Sequence, residues 1–187
     1  MTAARIAALE PPFSPPVAEA LERIMPKDVP PLALFRTLAV NERVFLRVMA
    51  GGLLDRGSIS LRERELVIDR TCARCGSEYE WGVHIAFFAE RVKLTPAEIA
   101  ATRAADPETT PFAPRERLLL RLVDELHDTA QVSDGLWQAL RAEFTEVQLV
   151  ELVALTGFYH LISFATNAFR IPLESYAARF SRYTSER

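Results

Sequence analysis

Short sequence patterns that begin α-helices recur along this chain, and they constrain its fold more than any other feature. Each has Ser or Thr followed three residues later by Glu or Gln, which is the pattern of a capping box. In such a box, the hydroxyl and the carboxylate or amide bind free backbone N–H groups at the start of a helix. The four candidate boxes are Ser60 with Glu63, Ser77 with Glu80, Thr95 with Glu98, and Thr145 with Gln148.

The spacing of apolar residues also favours helices from Leu32 onward. Apolar side chains recur at helical intervals, and no segment shows the sustained alternation and β-branched enrichment that indicate a strand. The sequence therefore predicts an all-α protein with negligible strand content. We expect helices near residues 17–25, 32–54, 61–75, 78–92, 96–104, 114–129, 134–143, 146–169 and 173–181.

Prolines are concentrated near the N-terminus. Seven of the twelve prolines lie within residues 11–31, where they flank one short amphipathic stretch. Proline interrupts regular structure, so this segment is expected to be largely irregular. We predict a proline-rich N-terminal arm over residues 1–31, laid over the domain or over a neighbouring chain, and a single domain over residues 32–187.

The charge and the cysteine content limit which binding partners and which cellular compartment are expected for this protein. The formal net charge of -3 and the pI near 5.7 provide no basic surface of the kind that nucleic acid requires. We also expect no membrane partner, on the interpretation that charge interrupts the apolar runs before the roughly 18 to 20 residues needed to cross a bilayer. Two cysteines three residues apart cannot link distant parts of the fold, and prolines precede any signal-peptide core. These features predict a cytoplasmic protein with reduced thiols.

The stretch RTCARCGSEYEWGVH, residues 70–84, concentrates the reactive side chains of the chain. Its Cys72 and Cys75 form a Cys-x-x-Cys pair, which occurs in dithiol redox centres, in zinc sites and as two buried small residues. There is no second cysteine pair and no His-x-x-x-His spacing, so we expect no metal and no other cofactor. The pair also lies at the predicted C-terminal end of a helix, where the helix dipole disfavours a thiolate. This position favours a structural role for both cysteines.

The second half of the same stretch favours proton transfer. Glu80 and His84 stand one turn apart on one face of the predicted helix, with Ser77 and Trp81 beside them. A carboxylate one turn away can hold the tautomer of a buried histidine and tune its pKa for acid and base chemistry. For Ser77 and Glu80, a capping box remains the alternative interpretation.

The segment RERELVIDRTCARCGSEYEWGVH, with LTPAEIAA after it, resembles the core helical hairpin of the carboxymuconolactone decarboxylase family, whose members share the alkylhydroperoxidase-D-like (AhpD-like) fold. The resemblance covers residues 60–101 and implies an AhpD-like helical domain with a core antiparallel helical hairpin. In the peroxidase branch, the motif is a glutamate on one helix, Cys-x-x-Cys at the start of the next, and a histidine four residues on. Aligning His84 with that histidine places the glutamate on Glu65 and the two thiols on Ser77 and Glu80.

These aligned positions imply a function. A hydroxyl and a carboxylate cannot form a disulfide, so the chain looks more like the decarboxylase branch. The resemblance implies that Glu65 and His84 are catalytic residues for proton transfer on a small carboxylate or lactone substrate. It also implies a homo-oligomer: a dimer, trimer or hexamer. The pocket residues that it implies are Ser77, Tyr79, Glu80 and Trp81.

Two alternative functions stay open. The first is a thiol-dependent alkylhydroperoxidase, with peroxiredoxin-type antioxidant activity, that uses Cys72 and Cys75. The second is an AhpD-like scaffold that binds a ligand or a partner without catalysis.

An anionic substrate would also need cations or a helix N-terminus in the pocket. The sequence offers Arg70, Arg74 and the predicted helix start at Glu78. A weak internal repeat would bring residues of the late helix to the same pocket, although a packed aromatic face is the preferred interpretation there. Those residues are Tyr159, His160 and Asn167.

Overall fold

The computed structural model describes residues 3–25 and 29–183, and every regular element within these ranges is helical. The prediction of an all-α protein is confirmed. Short 3-10 helices occupy Pro107–Thr109 and Phe180–Arg182. The α-helices are α1 (Pro15–Ile24), α2 (Ala33–Leu38), α3 (Glu42–Gly51), α4 (Leu61–Arg74), α5 (Glu78–Phe88), α6 (Pro96–Ala101), α7 (Pro114–Thr129), α8 (Asp134–Glu143) and α9 (Glu146–Phe169).

Three of the four predicted capping boxes form. Ser60, Thr95 and Thr145 each accept a hydrogen bond from the backbone N–H three residues on, and the Glu or Gln there binds the backbone of the cap in return. The box predicted at Ser77 is wrong, because its side chain makes no bond to its own helix. Its hydroxyl instead lies 2.8 Å from Oγ1 of Thr166 on α9. A tertiary contact has replaced the local cap.

Two predicted helices differ from the structure in more than the positions of their ends. The segment predicted as one helix over residues 32–54 forms α2 and α3, because the Asn41 side chain accepts a hydrogen bond from the backbone N–H of Val44 and starts a new helix. The helix predicted over residues 173–181 is wrong, since this segment is irregular until the final 3-10 helix. Its backbone binds α5 instead, with Ala178 N–H donating to the carbonyl of Gly82 at 3.0 Å.

Helix α4 lies at the centre of the fold. It packs against α5, α7 and α9, and every residue from Arg64 to Cys72 is buried. Its charged side chains therefore lie inside the protein, where they require partners. Gly76 adopts a φ of 63°, a left-handed conformation that suits glycine, in the turn that leads from α4 into α5. The predicted antiparallel hairpin of these two helices is confirmed.

The N-terminal segment runs along the helical domain. Arg5 N–H donates to the carbonyl of Phe169 at the end of α9, and α1 packs on α3 with Val17 and Leu21 buried. Part of the predicted arm (residues 1–2 and 26–28) and the end of the predicted domain (residues 184–187) lie outside the described ranges.

Helix α9 is long and apolar enough, by length and composition, to cross a membrane. Residues 152–169 contain no Asp, Glu, Lys or Arg, so the expectation that charge interrupts every long apolar run is wrong for this helix. An 18-residue window of α9 has a mean hydropathy of 1.5, and 44% of that window is buried inside the protein. Leu152, Leu155 and Tyr159 lie in this buried part, so packing of α9 in the core accounts for much of its apolar character.

Candidate active site

The side chains of Glu65 and His84 meet between α4 and α5. Nδ1 of His84 donates to Oε2 of Glu65 across 2.7 Å, and the two residues are only 4% and 1% exposed, respectively. The second carboxylate oxygen, Oε1, accepts two hydrogen bonds from the Arg64 guanidinium, at 2.8 and 2.9 Å. Both oxygens are therefore held, and the carboxylate in turn holds the imidazole ring in one orientation.

A second set of groups faces the other imidazole nitrogen. Nε2 of His84 lies 3.0 Å from the hydroxyl of Tyr159 on α9 and 3.5 Å from Oε1 of Glu80, one turn earlier on α5. Oε2 of Glu80 is buried without a hydrogen-bond partner among the described residues. Tyr159 thus contacts the histidine directly, whereas the preferred sequence interpretation assigned it to a packed aromatic face.

Asp69 extends the polar cluster along α4. Glu65, Asp69 and Cys72 are spaced by four and three residues, so they lie on one face of the helix. Asp69 is 1% exposed, and its Oδ1 has no hydrogen-bond partner among the described residues. Burial raises the pKa of Asp69 well above its ordinary value, and the nearby Glu65 raises it further, while His84 acts in the opposite direction. Burial and the nearby Glu65 therefore favour the neutral acid form of Asp69.

His84 is expected to be an imidazolium at neutral pH. Burial by itself lowers the pKa of His84, but the carboxylates of Glu65 and Glu80 outweigh burial and raise that pKa to about 10. The positive charges of His84 and Arg64 then balance the two carboxylates. Such pairing reduces the cost of keeping four charged groups in the interior.

Phe88 covers the outer side of the His84 ring. The two rings stack at an angle of 24°, with their centroids 5.4 Å apart. The Arg64 and Arg91 guanidinium carbons lie 5.3 and 5.5 Å from the centre of the Phe88 ring. Phe88 is half-buried and contacts both the buried imidazole and two guanidinium groups.

Three of the four predicted pocket residues form hydrogen bonds to groups other than His84. Glu80 lies beside the imidazole, whereas the polar atoms of Ser77, Tyr79 and Trp81 bind other side chains. Their partners are Oγ1 of Thr166 at 2.8 Å, Oε1 of Glu174 at 2.7 Å and Oγ1 of Thr102 at 3.0 Å, respectively.

The arginines that the sequence offered for an anionic substrate are engaged elsewhere. Arg70 is 1% exposed and forms a two-pronged ion pair with Asp124 on α7, at 2.6 and 2.7 Å. Arg74 lies at the same interface, 3.5 Å from Asp124. Both side chains therefore join α4 to α7. Two other arginines contact the neighbours of His84: Arg64 binds Glu65, and Arg91 lies over the Phe88 ring. Sequence spacing had not indicated either of them.

The two cysteines are free thiols in different surroundings. Cys72 is fully buried, and burial raises the pKa of its thiol well above the ordinary value, with Glu80 and Asp69 adding to the effect. Cys75 is half-buried at the end of α4, and burial raises its pKa as well. The other two residues that the sequence suggested on α9 lie near Cys75. The side-chain amide of Asn167 donates to the backbone carbonyl of Cys75 at 2.8 Å, and His160 lies close to the Cys75 thiol.

Comparison with known families identifies the central hairpin. Residues 42–125, which include α4, α5 and the Glu65–His84 pair, match the model of the carboxymuconolactone decarboxylase family. This part of the chain resembles the carboxymuconolactone decarboxylase family. The family resemblance of the sequence is thereby confirmed. No curated protein matches the sequence significantly.

Solved structures extend the likeness beyond the carboxymuconolactone decarboxylase segment. An alkylhydroperoxidase AhpD core, an uncharacterized peroxidase-related protein from Ralstonia eutropha JMP134, has a TM-score of 0.81 at 19% identity, with 94% of each chain covered. An uncharacterized peroxidase-related protein from Silicibacter sp. TM1040 has a TM-score of 0.77 at 18% identity, over 96% of this chain and 99% of that one. The debrominase Bmp8, in complex with 2,3,4-tribromopyrrole, has a TM-score of 0.73 at 14% identity, over 94% of each chain. These likenesses establish the AhpD-like fold.

Proposed function

We propose that this protein is an acid–base enzyme of the decarboxylase type, in which His84 protonates an enolate or carbanion formed from a small carboxylate or lactone. The contact of His84 Nδ1 with Glu65 across 2.7 Å carries the proposal. It leaves the proton on Nε2 as the one available for transfer. The pKa of His84, raised to about 10, keeps that proton in place at neutral pH.

The proposed reaction balances without an oxidant or a reductant. The C–C bond to the substrate carboxylate breaks, its electron pair moves onto the adjacent carbon as an enolate, and CO₂ leaves. The Nε2–H bond of His84 then breaks as its proton forms a C–H bond to that carbon. Water returns a proton to His84, so one carboxylate and one proton yield CO₂ and the protonated product.

The groups around Nε2 support this step. Nε2 faces the Tyr159 hydroxyl at 3.0 Å, so the substrate carbon takes the place of that hydroxyl during transfer. Glu80, at 3.5 Å, favours the charged form of His84 and so helps to recharge it after each turnover. Because these groups are buried, their electrostatic interactions act more strongly than they would at the surface.

Phe88 marks the proposed entrance for the substrate. Its half-buried ring stacks on the buried imidazole, so rotation of the Phe88 side chain is the proposed motion that uncovers His84. Arg91, an exposed residue whose guanidinium carbon lies 5.5 Å from the centre of the Phe88 ring, then lies at the opening. A guanidinium group at the mouth of a site favours a substrate that carries a carboxylate, which agrees with the proposed substrate class.

Thiol-dependent peroxidase chemistry is the weaker candidate. The pKa of Cys72 is raised by burial and by Glu80 and Asp69, whereas an attacking thiol needs easy access to its thiolate form. Cys72 is also fully buried, which hinders its reaction with a peroxide.

Decarboxylation of a panel of lactone carboxylates, beginning with carboxymuconolactone, tests the proposal. CO₂ release is measured together with incorporation of deuterium from D₂O at the carbon that lost the carboxylate. His84→Ala and Glu65→Gln should each reduce turnover by about 100-fold to 10,000-fold. The double variant should be little worse than either single variant, because the two residues act as a unit.

Glu90→Gln is the matched control, because Glu90 is an exposed acid just beyond the end of α5. It should retain wild-type turnover. Near-normal turnover in both His84→Ala and Glu65→Gln would assign the pair a structural role. A folded wild-type protein that releases no CO₂ from any substrate in the panel would contradict the proposal and favour a peroxidase or a non-catalytic scaffold.

A further inference from the structure

A second cluster of reactive side chains lies at the far end of α4 from Glu65. Cys75 caps the C-terminal end of α4, while His127 and His160 come from α7 and α9. One possible ligand atom from each residue, the Cys75 sulfur or a histidine ring nitrogen, lies within 4.8 Å of those of the other two. Glu65 and Cys75 are ten residues apart, which corresponds to about 15 Å along a helix, so this cluster is separate from the proposed active site.

The distances within the cluster suit one metal ion. Nδ1 of His127 lies 3.0 Å from Nε2 of His160 and 3.8 Å from Sγ of Cys75. In a tetrahedral zinc site with bonds of about 2.0 Å to nitrogen and 2.3 Å to sulfur, neighbouring ligand atoms lie about 3.3 to 3.6 Å apart. These two separations are therefore within a few tenths of an ångström of the tetrahedral values, and the third is no longer than 4.8 Å.

The cluster is held in place by contacts outside it. Nδ1 of His160 donates to the backbone carbonyl of Thr156 at 2.8 Å, so its Nε2 presents a lone pair toward His127 and Cys75. Metal-binding histidines commonly use the second nitrogen in this way, which fixes the ring and its tautomer. The backbone of Cys75 is held by Asn167, whose amide donates to its carbonyl at 2.8 Å.

We propose that Cys75, His127 and His160 bind a zinc ion, with water in the fourth position. One thiolate and two imidazoles form a donor set that favours zinc over hard cations such as Mg²⁺. All three residues are half-buried, so solvent reaches the remaining position. The ion links α4, α7 and α9 at the turn that leads into α5. Spacing along the chain does not indicate this cluster, because its three residues come from three different helices.

The proposal does not depend on the proposed decarboxylase activity, and metal binding tests it directly. The full chain is stripped with a chelator and titrated with Co²⁺, which reports a thiolate ligand by a charge-transfer absorption in the near ultraviolet. We expect one Co²⁺ per chain, displacement of Co²⁺ by one equivalent of Zn²⁺, and no displacement by Mg²⁺. Zn²⁺ should also raise the melting temperature of the protein, because an ion that binds the folded state stabilises it.

Cys75→Ser and Cys72→Ser form a matched pair, since each removes one thiol from the same end of α4. Cys75→Ser should lose the charge-transfer absorption, whereas Cys72→Ser should keep it. His127→Gln and His160→Gln should each weaken Zn²⁺ binding at least tenfold, with circular dichroism confirming that the helices persist. The proposal is overturned if folded wild-type protein shows no charge-transfer absorption, if the absorption survives in Cys75→Ser, or if Mg²⁺ displaces Co²⁺ as readily as Zn²⁺ does.

Discussion

At the scale of single residues, the charge of His84 decides the chemistry of the proposed site. Burial opposes the charged form, but Glu65 and Glu80 raise the pKa of His84 to about 10. We therefore predict that NMR of the labelled imidazole shows a protonated ring through neutral pH, with titration near 10. Since the proposed acid is the imidazolium, turnover should be retained at neutral pH and fall as the pH rises through about 10. A ring that titrates near its ordinary pKa of about 6.5 would contradict this prediction.

The same pKa shift predicts how stability depends on pH. The folded-state pKa of His84 lies above the unfolded value, so protonation stabilises the folded state. This contribution is fully present below about pH 6.5 and is lost as the pH rises through about 10. The free energy of unfolding of the wild type should therefore fall over this interval by more than that of His84→Gln.

The cysteines give a second prediction at the residue scale. Because burial raises the pKa of both thiols, neither is expected to act as a nucleophile at neutral pH. The double variant Cys72→Ser/Cys75→Ser should retain decarboxylase turnover within a few-fold. Alkylation by iodoacetamide, followed by mass spectrometry, should leave Cys72 unmodified until the protein is denatured. Loss of a hydroperoxide-reducing activity in the folded double variant would reverse the order of the two candidate functions.

At the scale of elements, the packing of α5 against the C-terminal segment depends on Gly82. A Cβ atom added at Gly82 would lie 3.3 Å from the Cβ of Ala177 and would overlap the backbone carbonyl of Ala178. The same segment donates a hydrogen bond from Ala178 N–H to the carbonyl of Gly82. Gly82→Ala should therefore reduce the free energy of unfolding by about 1 to 3 kcal/mol, as overpacked sites do. Urea unfolding monitored by circular dichroism measures this change.

Gly135 supplies the matched control for that experiment. It lies on α8, and an added Cβ would meet no atom within 4 Å. Gly135→Ala should be neutral or should stabilise the protein by up to about 1 kcal/mol, because alanine restricts the unfolded chain. Equal stability of the two variants would show that the C-terminal segment shifts at little cost to accommodate the added Cβ atom. The segment would then not hold α5 in place.

At the scale of the whole molecule, α9 carries apolar residues on two opposite faces, one buried and one exposed. One face is buried against α4, while the outer face exposes Val147, Val150 and Phe164 to 69%, 71% and 63%. Exposed apolar side chains along one face of a helix are typical of a protein–protein interface. We propose that a second copy of this chain packs on the outer face of α9. From the sequence, the proline-rich arm over residues 1–31 was suggested to contact a neighbouring chain.

Light scattering coupled to size exclusion tests this assembly. The wild type should elute at a multiple of the 21.0 kDa chain mass at micromolar concentration. Val150→Lys and Phe164→Glu should shift the protein towards monomer, because an interface that buries an unpaired charge is destabilised. Val40→Lys is the control, since Val40 is 52% exposed in the turn after α2. A wild-type mass of 21 kDa would contradict the assembly.

The sequence by itself determined the helical class and several helix starts. The boxes at Ser60, Thr95 and Thr145 close within four residues, so local sequence is sufficient to predict them. The pairing of Glu65 with His84 was also predictable, because the family motif places both residues on one helical hairpin. Ser77 shows the limit of such reasoning, since a hydroxyl suited to a local cap binds Thr166 on another helix.

Only the tertiary structure decided which distant side chains meet. Tyr159 contacts His84 although 75 residues separate them, and Cys75 and His160 converge from different helices. Such contacts depend on how α4 and α9 rotate and cross when their apolar faces pack. The pattern along one helix shows which face is buried, but the partner of each buried polar group depends on the packing of the whole core.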